Sequence, residues 1–91
     1  MDVQVECINK TPRQDPHLRI ENIGGTKGGE AWKMRVDEAI AAIEAGKYHF
    51  YVNKGSNLVW VVIAEHAGHK YLKTEADDLH PNNLLSLPEC P

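Results

Sequence analysis

Val3, Val5 and Cys7 alternate with Asp2, Gln4 and Glu6 at the start of the chain. A period of two puts alternate side chains on opposite faces of an extended backbone, so this stretch predicts a half-buried strand. "NKTPRQDP" breaks it, because two prolines and an Asp-Pro pair favour turns over a ladder. Alternation resumes in "HLRIENI", with Leu18 and Ile20 on one face and Arg19 and Glu21 on the other, which predicts a second strand.

The period then changes. Val36, Ile40 and Ile43 are spaced i, i+4 and i+7, with Ala39 on the same stripe, the repeat of a helix that buries one face. Asp37 and Glu38 fall in its first turn, where the helix dipole favours acids, and Gly46 is placed just past its end. No Ser, Thr or Asn stands at the expected N-cap.

Three further strands follow. "KYHFYVN" puts Tyr48, Phe50 and Val52 on one face and His49 and Tyr51 on the other. "LVWVVIAE" is apolar on both faces, as expected of a central strand covered on each side, or on one side by the tail. In "KYLKT", Tyr71 and Lys73 alternate against Leu72. "KGSN" and "HAGH" are connections short enough for a meander. The order β-β-α-β-β-β predicts an α+β fold, a small antiparallel sheet with one helix packed on one face.

The closing "LKTEADDLHPNNLLSLPECP" has neither period. Leu79, Leu84, Leu85 and Leu87 would be an aggregation liability if exposed, and burying a leucine is worth about 1.5–3 kcal/mol. Pro81 and Pro88 reduce the entropy lost on ordering, and Asn82 and Asn83 suit a turn. The tail is therefore expected to fold back as a strap. The 91 residues form one domain, with a body over 1–74 and the strap over 75–91.

Composition narrows the partners. With 42% apolar and 25% charged residues the chain is globular rather than disordered. A net charge of −3 without a charged run gives nucleic acid or an anionic membrane no bulk attraction. The longest apolar run, Leu58 to Ala64, is too short to span a bilayer, and Asp2 and Glu6 stand where an export signal would be basic. A cytoplasmic protein is expected, with its two cysteines, Cys7 and Cys90, as reduced thiols.

Candidate chemistry is sparse. "GGTKGGEAW" has glycines whose amides could approach an anion beside Lys27, but it lacks the phosphate-loop spacing. It is read as a flexible binding lip: Gly24, Gly25, Lys27 and Trp32, with Lys10 and Arg13 from the neighbouring loop and Tyr51 and Tyr71 as exposed aromatics. Cys7, His17 and Cys90 are ligand types suited to zinc, yet no close-spaced pair accompanies them; buried thiols are the commoner reading, with a disulfide between the cysteines ranked after it and ahead of zinc. "EHAGH" places His66 and His69 across a turn beside Glu65, with no further ligand-type residue adjoining the turn in sequence. Ser86 or Cys90 with His80 and Asp77 or Asp78 contains triad residue types but no nucleophile elbow.

"CINK", "IGG", a tryptophan before the helix, "AIAAIEAGKYHFYV", "KYLKT.AD" and "NNLLSLPEC" together resemble a family of short bacterial proteins, domain of unknown function 3892. The resemblance runs from about Val3 to Cys90 and implies free-standing, β-rich α/β proteins without an assigned activity. Cys7 and Cys90 match its signature cysteines, and His17 falls where some relatives carry a histidine; "HAGH" lies outside the resembling segments. The expected function is a small binding module, with a protein partner first and nucleic acid or a small anionic ligand next. No catalysis is expected, and zinc is the only candidate cofactor. The chain would be a monomer or a dimer through a sheet edge. The alternative is a metal- or thiol-organised protein built on Cys7 and Cys90.

Overall fold

The computed structural model describes residues 1–12, 18–77 and 82–91, the side chains of Lys54 and Asn82 aside. Its elements are β1 (Asp2–Gln4), β2 (Cys7–Lys10), β3 (Ile20–Lys27), β4 (Glu30–Arg35), α1 (Val36–Glu44), β5 (His49–Lys54), β6 (Asn57–His66), β7 (His69–Thr74) and α2 (Asn82–Leu85). They form a small, mostly sheet α+β fold. The strands make two sheets, in the orders β1-β5-β6-β7 and β2-β3-β4. β1 runs parallel to β5, so the larger sheet is mixed, and the remaining pairs are antiparallel.

The split into two sheets corrects the single antiparallel sheet expected from the sequence, and its origin lies in the first strand. Val5 N–H donates to Tyr51 O of one sheet at 2.7 Å, and the next residue, Glu6, donates to Gly24 O of the other at 2.8 Å. The chain therefore changes sheets between Val5 and Glu6, a corner of the kind that joins two packed sheets. The alternation shifts there as well: Val3, Val5 and Ile8 point into the core, whereas Cys7 is half-buried.

A second correction concerns "GGTKGGEAW". Rather than a flexible loop, it is a hairpin paired from Asn22↔Arg35 to Lys27↔Glu30. Gly28 and Gly29 form its two-residue turn with φ of +60° and +85°, a turn that requires the left-handed region at both positions. The ladder offsets the entropy of ordering the glycines.

Helix α1 starts at Arg35, which lends no side chain to the N-terminus, and buries Ala39 and Ile40. Gly46 N–H donates to Ile43 O and Lys47 N–H to Ala42 O, which satisfies the last carbonyls in a Schellman arrangement. The helix touches β3 and β4 of one sheet and β7 of the other, so it fills the opening between them. Ile8, Ile23, Phe50, Val52, Val61 and Leu72 complete the core from both sheets. β6 is central in its sheet as expected, with Val61 buried. Its other face stays partly open: Leu58 is 47% exposed and Trp60 and Val62 are half-buried.

Of the tail leucines, Leu84 is fully buried and Leu85 and Leu87 pack against the core. Leu79 lies outside the described residues. Helix α2 rests on β7 and β2.

Candidate functional site: a disulfide-closed tail beside an aromatic groove

The segments that carry the family resemblance converge on one structural task. Cys7 opens β2, and Cys90, 83 residues later, is bonded to it with a Cα separation of 5.0 Å. This overturns the expectation of two reduced thiols. It also leaves neither sulfur as a thiolate ligand, so zinc on Cys7, His17 and Cys90 has no sulfur donors in this state; His17 lies outside the described residues. The bond forms because the backbone delivers Cys90 to β2: Ile8 N–H donates to Pro88 O and Cys90 N–H to Ile8 O, both at 3.0 Å. The reduced thiols were expected from the cytoplasmic reading, a compartment in which a lasting disulfide is rare.

Gly24 makes room for the sulfurs. It pairs with Cys7 across the ladder, and a β-carbon on it would lie 2.8 Å from Cys90 Sγ and 3.1 Å from Cys7 Sγ. Gly25 faces the sheet-switching corner, where a β-carbon would meet Gln4 O at 2.7 Å. Both glycines are buried, and Gly25 also lines a cleft beside the disulfide. Asn9 ties the outer side: its Nδ2 donates to Glu89 Oε2 and Cys90 O, each at 3.2 Å, and its Oδ1 accepts from Asn22 Nδ2.

A second clasp anchors the tail upstream. Asp77 Oδ2 accepts from Thr74 N–H at 3.1 Å and from Thr74 Oγ1 at 3.0 Å, while Oδ1 accepts from Asn83 N–H in the first turn of α2. Asn83 Nδ2 returns a bond to Thr74 Oγ1 at 2.8 Å, and Thr74 is fully buried. Thr74, Asp77 and Asn83 are thus mutually committed. Of the triad residue types, Cys90 is bonded, Asp77 holds the clasp and Ser86 donates to Asn83 O, while Asp78 and His80 lie outside the described residues.

An aromatic groove lies between the sheets, a cleft of about 300 Å³ lined by Val3, Trp32, Met34, Tyr48 and Phe50, with Lys27 and Glu30 among its polar residues. Trp32 stacks on Phe50 at a ring-centroid distance of 5.8 Å and 28° between planes, and Tyr48 meets the same phenyl at 5.8 Å. The indole N–H of Trp32 is buried and has no hydrogen-bond partner. On the other side of Trp32 a cleft of about 500 Å³ runs past the disulfide.

The residues expected to form one site are therefore dispersed. Lys27 and Trp32 share the groove, and Lys27 Nζ donates to Asp2 O at 3.4 Å. Lys10 is exposed at the end of β2, and Arg13 lies outside the described residues. Tyr51 packs edge-on against Trp60 at 5.9 Å, and Trp60 borders a shallow cleft that also contains Asp2 and Glu75. Tyr71, expected to be an exposed aromatic, is only 5% exposed. Sequence reasoning missed Met34, Tyr48 and Phe50 as groove residues. The period-2 spacing of Trp32 and Met34 was the available signal, hidden by the neighbouring glycines. Among the described residues no cluster of three or more His, Cys, Asp or Glu is arranged for a metal, and no helix is long and apolar enough to cross a membrane.

These features define a class: a two-sheet α+β protein with one principal helix, whose tail is bonded back onto its first strands. The chain belongs to the family described as protein of unknown function (DUF3892), which matches over residues 4–88. Neither the curated proteins nor the solved structures gave a match.

Proposed function

We propose that the chain is a binding module whose partner is a protein, engaged through an extended segment that places an apolar side chain in the Trp32–Met34–Tyr48–Phe50 groove. The observation that carries this reading is the lining itself. Tryptophan and tyrosine are enriched in binding hot spots and methionine at interfaces, and an apolar cleft with few polar residues fits a ligand site. β4, which supplies Trp32 and Met34, is also the edge of its sheet. Lys27 and Glu30 would set orientation.

Nucleic acid is a weaker alternative, because the Tyr51–Trp60 face carries Asp2 and Glu75, which repel phosphate. A small anionic ligand loses the glycine cradle on which it rested. Zinc held by Cys7, His17 and Cys90 requires the pair to be reduced. The binding reading involves no turnover and no cofactor. We place the protein in the cytoplasm, where a disulfide is transient and redox-sensing rather than permanent.

A displayed library of short random peptides tests the groove. Enriched peptides should carry an aromatic or large aliphatic residue, bind the wild type, and lose about tenfold or more in affinity on Met34→Asp, a loss of about 1.4 kcal/mol. Enrichment that ignores Met34→Asp, in a variant that melts like the wild type, would place binding elsewhere.

A further inference from the structure

We propose that Cys7–Cys90 is a thiol-exchange site, and that opening it frees residues 88–91 from the edge of β2 while the rest of the chain stays folded. The substrate class is a small dithiol or a protein dithiol. This inference is independent of the groove reading.

Three observations lead there. Both cysteines are half-buried rather than sealed, and both line the cleft of about 500 Å³ together with Glu6, Lys33, Pro88 and Glu89. An incoming thiol therefore has a path to the cysteines through this cleft. Lys33 pairs with Gly24, which pairs with Cys7, so a cation stands on the same face two strands away, in the cleft that also holds the carboxylates of Glu6 and Glu89. The nearby carboxylates are engaged: Glu6 Oε1 accepts from Thr26 N–H at 2.9 Å and Glu89 Oε2 from Asn9.

The second observation is what holds the segment besides the bond. Pro88, Glu89 and Pro91 are exposed, and none of residues 88–91 enters the core. Their other attachments are the two backbone bonds to Ile8, the Asn9 contacts, and Lys33 Nζ donating to Pro91 O at 3.3 Å. Such bonds contribute about 0.5–1.5 kcal/mol each, and less where water competes. Third, the upstream tail is anchored without the disulfide, by fully buried Leu84 and by the Thr74–Asp77–Asn83 clasp. Release therefore stops near Leu87.

In the reaction a thiolate of the dithiol bonds one cysteine sulfur, the S–S bond breaks, and the other cysteine leaves as a thiolate that takes a proton from water. The second thiol of the reagent then attacks the mixed disulfide. It leaves with the reagent oxidised to a disulfide, and both cysteines end as thiols. Ile8 N–H and C=O lose their partners, and the edge of β2 opens.

Dithiothreitol added to the native oxidised protein, followed by amide hydrogen exchange, tests this. Reduction should proceed faster than global opening measured on the Phe50 and Leu72 amides of the same sample. Afterwards the Ile8 and Cys90 amides should exchange about tenfold faster or more, while Phe50 and Leu72 stay protected. Reduction no faster than global opening would overturn the exchange site. Unchanged Ile8 and Cys90 amides, or loss of the core amides together with them, would overturn the release.

Discussion

A β-carbon on Gly24 would sit 2.8 Å from the sulfur of Cys90, so the absence of a side chain in β3 is what lets the tail close over β2. The same added carbon would meet Trp32 O at 2.8 Å, a backbone atom that cannot swing aside. Gly24→Ala should therefore lower the unfolding free energy by about 1–3 kcal/mol, the usual range for overpacking. Urea denaturation measures it. Because the Trp32 clash remains, Cys7→Ser with Cys90→Ser should rescue only part of the loss.

Asp77 and Asn83 should behave as a coupled pair. Removing the carboxylate by Asp77→Ala leaves the Thr74 and Asn83 donors without their acceptor, at about 1–3 kcal/mol. In a double-mutant cycle with Asn83→Ala the two losses should fall short of additivity by about 0.5 kcal/mol or more. Strict additivity would mean that the clasp is not a network.

Ala67 offers a gain. It is the one non-glycine residue with positive φ among those described, at 51°, in the turn between β6 and β7. A left-handed alanine costs about 1–2 kcal/mol, and asparagine tolerates that region better, especially before a glycine such as Gly68. Ala67→Asn should raise stability by about 0.5–1 kcal/mol, read as an increased melting temperature.

The double substitution Cys7→Ser with Cys90→Ser removes a cross-link that closes most of the chain. A chain-entropy account gives such a loop about 4–5 kcal/mol, and measured values commonly fall below it. The variant should lose about 2–4 kcal/mol in urea yet still unfold cooperatively. A non-cooperative, already expanded variant would show that the core depends on the bond.

The parts of the fold legible in the sequence were those fixed by local periodicity. Val36, Ile40 and Ile43 with Gly46 located α1, alternation around Phe50 and Leu72 located β5 and β7, and the apolar run through Val61 located β6. The sheet change at Val5–Glu6 was hidden, because Cys7 continues the apolar alternation of Val3 and Val5 and masks the shift to Ile8. The β3–β4 hairpin was missed because glycines contribute no side-chain period. Within the candidate site, the chemistry of Cys7 and Cys90 was visible and their partnership was not. That partnership depends on a contact across 83 residues. Lys27 and Trp32 were singled out and both line the groove, whereas Tyr48 and Phe50 were read as one face of a strand and Met34 was not singled out.

The central claim is that the chain is closed by Cys7 and Cys90. The most direct measurement is to denature the purified protein without reductant, alkylate it, and weigh it intact. The closed form predicts no added label, with both cysteines labelling only after reduction. Labelling of both cysteines before reduction would contradict the closure and, with it, the exchange site.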